Sequence, residues 1–192
     1  IPIVKYVRFE HNDFYEYNPE LSDIRLDFSK KFDAYGVIRR GITTGYNTMY
    51  INPPLKNEVS RKYLRKILSS PKEIVGFSTK NSKPDEVLIL NSNDELTDEI
   101  QDYLHKFKVE IQNQCFPKTL YHKIQSDKNW FSINPVNSSG ILFSYFVRND
   151  MKFIYNDSDY LVRDNFYIIR QKDSSDSVLF FALLNNYYTF YQ

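Results

Sequence analysis

The residues best equipped for chemistry sit around two glycines, in Arg39-Arg40-Gly41-Ile42-Thr43-Thr44-Gly45-Tyr46-Asn47. Guanidinium groups, hydroxyls and backbone amides that a glycine leaves uncovered can all approach a phosphate closely. Arg39, Arg40, Thr43, Thr44, Tyr46 and Asn47 are therefore candidate contacts to a polyanion. The bland alternative is a bulged hairpin whose arginines point to water. Lys128 and Asn129 precede Trp130, the single tryptophan; the polar pair can contact a ligand while the indole anchors the loop in the core. Arg148 closes an apolar run and can bind guanine bidentately or grip a phosphate, with a surface ion pair as its ordinary alternative. Asp85-Glu86 lies near Lys83, but the Asp/Glu-x-Lys pattern that holds magnesium in many nucleases is not formed. His11, His105, His122 and Cys115 lack metal-ligand spacing, and one cysteine makes no internal disulfide.

These residues need a scaffold, and 192 residues with 42% apolar and 17% aromatic content can bury one sizeable core. Sixteen Tyr and fifteen Phe against five Gly favour strands and exclude a disordered chain. A reducing cytoplasm fits the cysteine usage. No apolar run approaches the roughly 18 residues that span a bilayer, and Ile1-Pro2-Ile3 begins no signal peptide. The absence of an initiator Met suggests an excised fragment.

Net charge is +1, yet residues 37–83 carry ten Lys and Arg against two Glu, and residues 84–104 carry seven acidic residues and no Lys or Arg. A basic block of this kind can track phosphates and release their counterions, or can simply be a solvated face. If it tracks phosphates, the basic and acidic segments are expected on different faces of the fold.

Residues 1–36 read as a lead-in segment that packs on a domain spanning 37–192. Tyr35 to Ile51 predicts a strand, a glycine-bounded loop and a second strand, ended by Asn52-Pro53-Pro54. Ser60 predicts an N-cap for a basic helix through Leu68, stopped by Pro71. Val87 to Leu90 predicts a buried strand, followed by an acidic helix from Asp94 to Phe107 capped by Ser92 or Asn93. From Gly140 onward, Ile141 to Val147, Lys152 to Tyr155 and Phe166 to Ile169 predict an antiparallel meander, with Asn and Asp in the turns. Ser177 predicts the cap of a last apolar helix, Val178 to Tyr188, lying on that sheet. The expected fold is α/β (α+β): a mixed, largely antiparallel sheet with flanking helices.

Two stretches resemble known enzymes. Asn52-Pro53-Pro54-Leu55 resembles the Asn-Pro-Pro-aromatic loop of adenine-amino methyltransferases, whose aromatic stacks on the flipped base. Leu55 cannot stack in that way, and no glycine-rich cofactor loop precedes it, so a strand terminator is the better reading. Residues 38–51 resemble the "(I)xRG(I)xTGxNxxF(I)" stretch of the C-terminal specificity domains of TaqI-like adenine methyltransferases and fused restriction-modification methylases. Lys128-Asn129-Trp130-Phe131, the strand from Ile141 to Phe146 with Arg148, and Tyr160 to Ile169 followed by Leu179 to Tyr188 resemble later blocks of those domains, in the same order.

The resemblance implies a duplex DNA target-recognition domain without catalysis of its own. A separate catalytic methyltransferase domain of the same parent chain would bind S-adenosylmethionine, and an endonuclease activity can accompany it. Two other classes remain open from the residues alone. One is a small catalytic domain, a nuclease or a degenerate methyltransferase. The other is a tyrosine-rich protein-interaction domain, which would bind without steep salt dependence.

Overall fold

A computed structural model describes residues 9–10, 13–14, 36–146, 152–171 and 177–185. The chain divides into two units, residues 1–34 and 35–192. In the first, β1 (Phe9–Glu10) and β2 (Asp13–Phe14) form an antiparallel pair.

The second unit is a mixed α/β fold, as the residue patterns predict, but its strands are divided between two sheets where one was expected. Its larger sheet has the order β3-β9-β6-β7, built from β3 (Gly36–Arg40), β6 (Gly140–Ser144), β7 (Phe153–Asn156) and β9 (Phe166–Gln171), all antiparallel. Apolar residues dominate β6, β7 and β9 because both faces of these strands are used. Leu142, Ile154, Phe166 and Ile168 pack on one side with Leu68, Ile74 and Val162. Ile141, Phe153 and Ile169 pack on the other, against Phe180, Phe181 and Leu184 of α5 (Ser177–Leu184). The last helix thus docks on the sheet as expected; its predicted continuation past 185 lies outside the described residues.

The three C-terminal strands do not form a simple meander. β9 returns to pair with β6, and the outer edge of β7 is taken by residues 77–79, where Tyr155 N–H donates to the Phe77 carbonyl at 2.8 Å and Thr79 N–H to the Tyr155 carbonyl at 3.1 Å.

The smaller sheet, β5-β4-β8, overturns a helix expectation. α2 (Glu58–Arg61) is a single turn capped by the Asn57 side chain, and β4 (Leu64–Leu68) follows at once. β4 pairs antiparallel with β5 (Asp85–Leu88) and parallel with β8 (Leu161–Val162). Ladder bonds on both sides and complete burial of Ile67 and Leu68 outweigh the weak helical period of this stretch. Ser60 is no cap; it is buried, with its hydroxyl 2.6 Å from that of Thr97. Pro71 opens a 3-10 turn, Pro71–Glu73.

The second strand expected after Gly45 is also absent. Gly45 turns the chain at φ +73°, and α1 (Asn47–Tyr50) follows, burying Met49 and Tyr50. The Tyr50 hydroxyl donates to the Phe131 carbonyl at 2.9 Å, and that of Tyr103 donates to the Met49 carbonyl at 2.7 Å. The acidic helix is present as α3 (Asp98–Gln114), with Thr97 in place of Ser92 or Asn93 as its cap. Ile100, Leu104, Phe107 and Ile111 are its buried stripe. α4 (Lys118–Ser126) packs beside it through Leu120.

Residues 161–166 stitch the two sheets together. Val162 is in β8, yet its carbonyl accepts from Ile42 N–H at 2.8 Å; the Ile42 carbonyl accepts from Asp164 N–H at 3.0 Å, and β9 begins two residues later. A Cβ on Gly41 would lie 2.2 Å from the Arg163 carbonyl oxygen and 2.5 Å from that of Val162. Only glycine fits the backbone this close.

Candidate nucleic-acid interface

β3 is an edge strand, and Val37, Ile38, Arg39 and Arg40 are all exposed. The two arginines differ in how they are held. Arg40 is fixed by Asp164: its Nε donates to the backbone carbonyl at 2.8 Å, and its guanidinium lies 3.7 Å from the carboxylate and 5.1 Å from the centre of the Tyr145 ring. Arg39 has no ion-pair partner among the described residues. Thr43 is exposed, and its hydroxyl donates to the Asp164 carboxylate at 3.3 Å. Asp164 thus screens Arg40 and leaves Arg39 as the more available cation of the pair.

Past Thr43 the Thr44 and Tyr46 side chains turn inward. The Thr44 hydroxyl is buried and donates to Asn47 Oδ1 at 2.6 Å. The Tyr46 ring packs edge-on against Phe107, and its hydroxyl donates to the Glu110 carboxylate at 2.9 Å. That bond, with burial behind it, raises the phenol pKa above its ordinary value. Asn47 remains exposed.

The Lys128-Asn129-Trp130 block is a tight turn. Asn129 N–H donates to the Asp127 carboxylate at 2.8 Å, and its carbonyl accepts from Ser132 N–H at 2.9 Å. Lys128 is exposed at the turn's tip, whereas Trp130 is core, edge-on to Phe131. Arg148 lies outside the described residues.

The fold brings the two distant blocks to one place. A groove of about 310 Å³ is lined by Thr43, Thr44 and Gly45 on one side and by Trp130 and Asn134 on the other, with Lys123 of α4 entering it. Lys128 and Asn129 do not line this groove. Lys123 carries the charge there and was not singled out by sequence reasoning; the signal was Leu120, Tyr121 and Ile124 at helical spacing, with Lys123 beside them.

The basic segment and the start of the acidic one meet in one sheet. They pair as adjacent strands, with Lys66 opposite Glu86 in the β4–β5 register. Glu86 takes both Lys66, at 3.1 Å, and Arg61, at 3.4 Å. One partner lies opposite it in the ladder and the other ends α2, so the basic segment is partly neutralised by the segment that follows it.

Asn52 has a structural task. It sits in the left-handed region at φ +50°, its amide donating to the Asp85 carboxylate at 2.8 Å while its Oδ1 accepts from Glu86 N–H at 2.8 Å. Pro53 and Leu55 are buried beneath it. Both ends of the amide are therefore occupied within the domain.

Among the described residues, no group of three or more His, Cys, Asp or Glu is placed to hold a metal ion, and no helix is long and apolar enough to cross a membrane.

No curated protein matches the chain. A protein-family model described as the C-terminal domain of the Type II methyltransferase M.Eco57I matches residues 21–192, and so takes in β3, the groove, the Trp130 turn and the C-terminal strands. The chain belongs to the family of the Type II methyltransferase M.Eco57I C-terminal domain.

Proposed function

We propose that this chain recognises a specific duplex DNA sequence on behalf of an adenine-specific restriction-modification methyltransferase, as TaqI-like specificity domains do. Catalysis and S-adenosylmethionine binding fall to a separate domain of the parent polypeptide. The observation that carries this reading is an edge strand ending in exposed Arg39 and Arg40, followed in the chain by exposed Thr43 on the wall of a groove that also holds Lys123, in a chain of a methyltransferase C-terminal family. Cations at a sheet edge and hydroxyls beside an open turn suit phosphates, which position a protein on its duplex before base edges are read.

The test uses the intact parent enzyme and a duplex carrying its methylation site, with affinity measured over a range of salt. Arg39→Ala should flatten the slope of log affinity against log salt by about 1, the loss of one phosphate contact. Arg40→Ala should flatten it by less, because Asp164 already offsets that charge. If both variants keep the wild-type slope and affinity, DNA does not lie on this edge.

The protein-interaction reading has one observation in its favour, the exposure of Val37, Ile38, Tyr145 and Phe146 near the same edge. Binding driven by that surface would be nearly indifferent to salt.

A further inference from the structure

Lys123 lies half-buried at the groove, its ammonium 3.1 Å from the Ser132 carbonyl. Among the described residues it makes no ion pair, and no carboxylate lines the groove. Partial removal of an ammonium from water costs free energy that a single carbonyl dipole offsets only in part. An ammonium has three donors, and Ser132 uses one. The fold thus holds a cation short of its water and lacking a counter-charge, with donors left over.

We propose that this groove receives one phosphodiester group of duplex DNA, with Lys123 supplying the charge; the assignment rests on the DNA-recognition reading. Thr119, exposed on the first turn of α4, and Thr43 supply hydroxyls at the groove wall. The present bond from Thr43 to Asp164, at 3.3 Å, is longer than the ~2.7–2.8 Å usual for hydroxyl donors and is readily exchanged for a phosphate oxygen. The apolar floor of Leu120, Trp130 and Ile133 suits the flanking deoxyribose. A phosphate fits better than a base, because one charged donor and rotatable hydroxyls match an anion of several equivalent oxygens, whereas a base edge demands a fixed pattern of donors and acceptors.

The experiment again measures duplex affinity against salt with the intact parent enzyme. Lys123→Met keeps the aliphatic stem and removes the charge; it should flatten the slope by about 1 and weaken binding alike on cognate and altered duplexes. Lys123→Arg should retain the slope. Thr119→Val should weaken binding with the slope unchanged, and it decides the matter if Lys123→Met fails to fold: unaltered affinity would then overturn the assignment. A wild-type slope in folded Lys123→Met overturns it too, as does a loss confined to discrimination among sequences, which would place a base in the groove. Wild-type parent enzyme that binds no duplex overturns the DNA-recognition reading itself, a failure distinct from that of the groove.

Discussion

Asn52 illustrates how a chemical motif and a folding device can share the same letters. The Asn-Pro-Pro triplet is visible in the sequence, but the φ of +50° and the two amide bonds to the start of β5 are visible only in three dimensions. Asn52→Ala loses both side-chain bonds and the polar side chain that makes the left-handed region tolerable, so it should cost about 2 kcal/mol in urea denaturation. Methyl transfer per bound duplex in the parent enzyme should be unchanged. A collapse of transfer with stability intact would assign Asn52 to chemistry. Tyr46 and Trp130 carry the same lesson. Each stands in a polar, glycine-rich or lysine-flanked stretch, yet the rings are claimed by Phe107 and Phe131, since aromatic area is worth more against a core than in water. The exposed polar residues Arg39, Arg40, Thr43 and Lys128 were legible as surface from composition alone; Lys123 was not, because its significance comes from what surrounds it.

Elements with one consistent period were readable, and elements decided by distant partners were not. β6, β7, β9 and α3 follow from their own residues. β4 does not, because Leu64, Ile67 and Leu68 satisfy a helical spacing as well as a strand; pairing with β5 and β8, from separate parts of the chain, settles the choice. The same ladder joins the opposite charges. Glu86→Gln releases Lys66 and Arg61, both about half exposed, so stability should change by less than about 1 kcal/mol. A larger loss in denaturant would mean that the ladder depends on this carboxylate. Glu99, at the start of α3, tethers the chain before α2. Its carboxylate accepts from Lys56 N–H at 2.8 Å and from Asn57 N–H at 3.1 Å. The Lys56 bond is the largest cause that lowers its pKa from the ordinary 4.5. A depressed carboxylate pKa stabilises the fold above the unfolded value and loses that contribution as pH falls through the folded value. The acid limb of the stability curve should therefore be shallower below about pH 4.5 in Glu99→Gln, and the neutral region should show a uniformly lower plateau. Parallel curves for the two proteins below that pH would remove Glu99 from the account.

At the scale of the second unit, the decisive feature is the 161–166 segment, which belongs to both sheets. Two cores that share a strand connection are expected to melt together. Gly41 is where that connection is tightest. A methyl group there would overlap the Arg163 and Val162 carbonyls, and backbone cannot yield as a side-chain tip can. Gly41→Ala should therefore lower stability by about 3 kcal/mol or more, with both sheets lost in one transition. Gly76→Ala meets nothing within 4 Å, and its φ of +77° should cost only about 1 kcal/mol. Similar melting of the two variants would show that close approach is not what selects Gly41.

The pairing of β3 with β9 also sets a timetable for synthesis. Ile38 waits for Ile169, and at ~5–20 residues per second the roughly 130 residues between them take on the order of ten seconds to translate. For that interval Val37 and Ile38 lack the strand that completes their sheet, and the nascent chain offers an unpaired apolar segment to any neighbour. Arg39 and Arg40, next in line, are charges of the kind that keep such a strand from pairing wrongly. If Arg39 and Arg40 guard the nascent strand in this way, ribosome-bound chains halted before residue 166 should be more aggregation-prone when both are replaced by Ala.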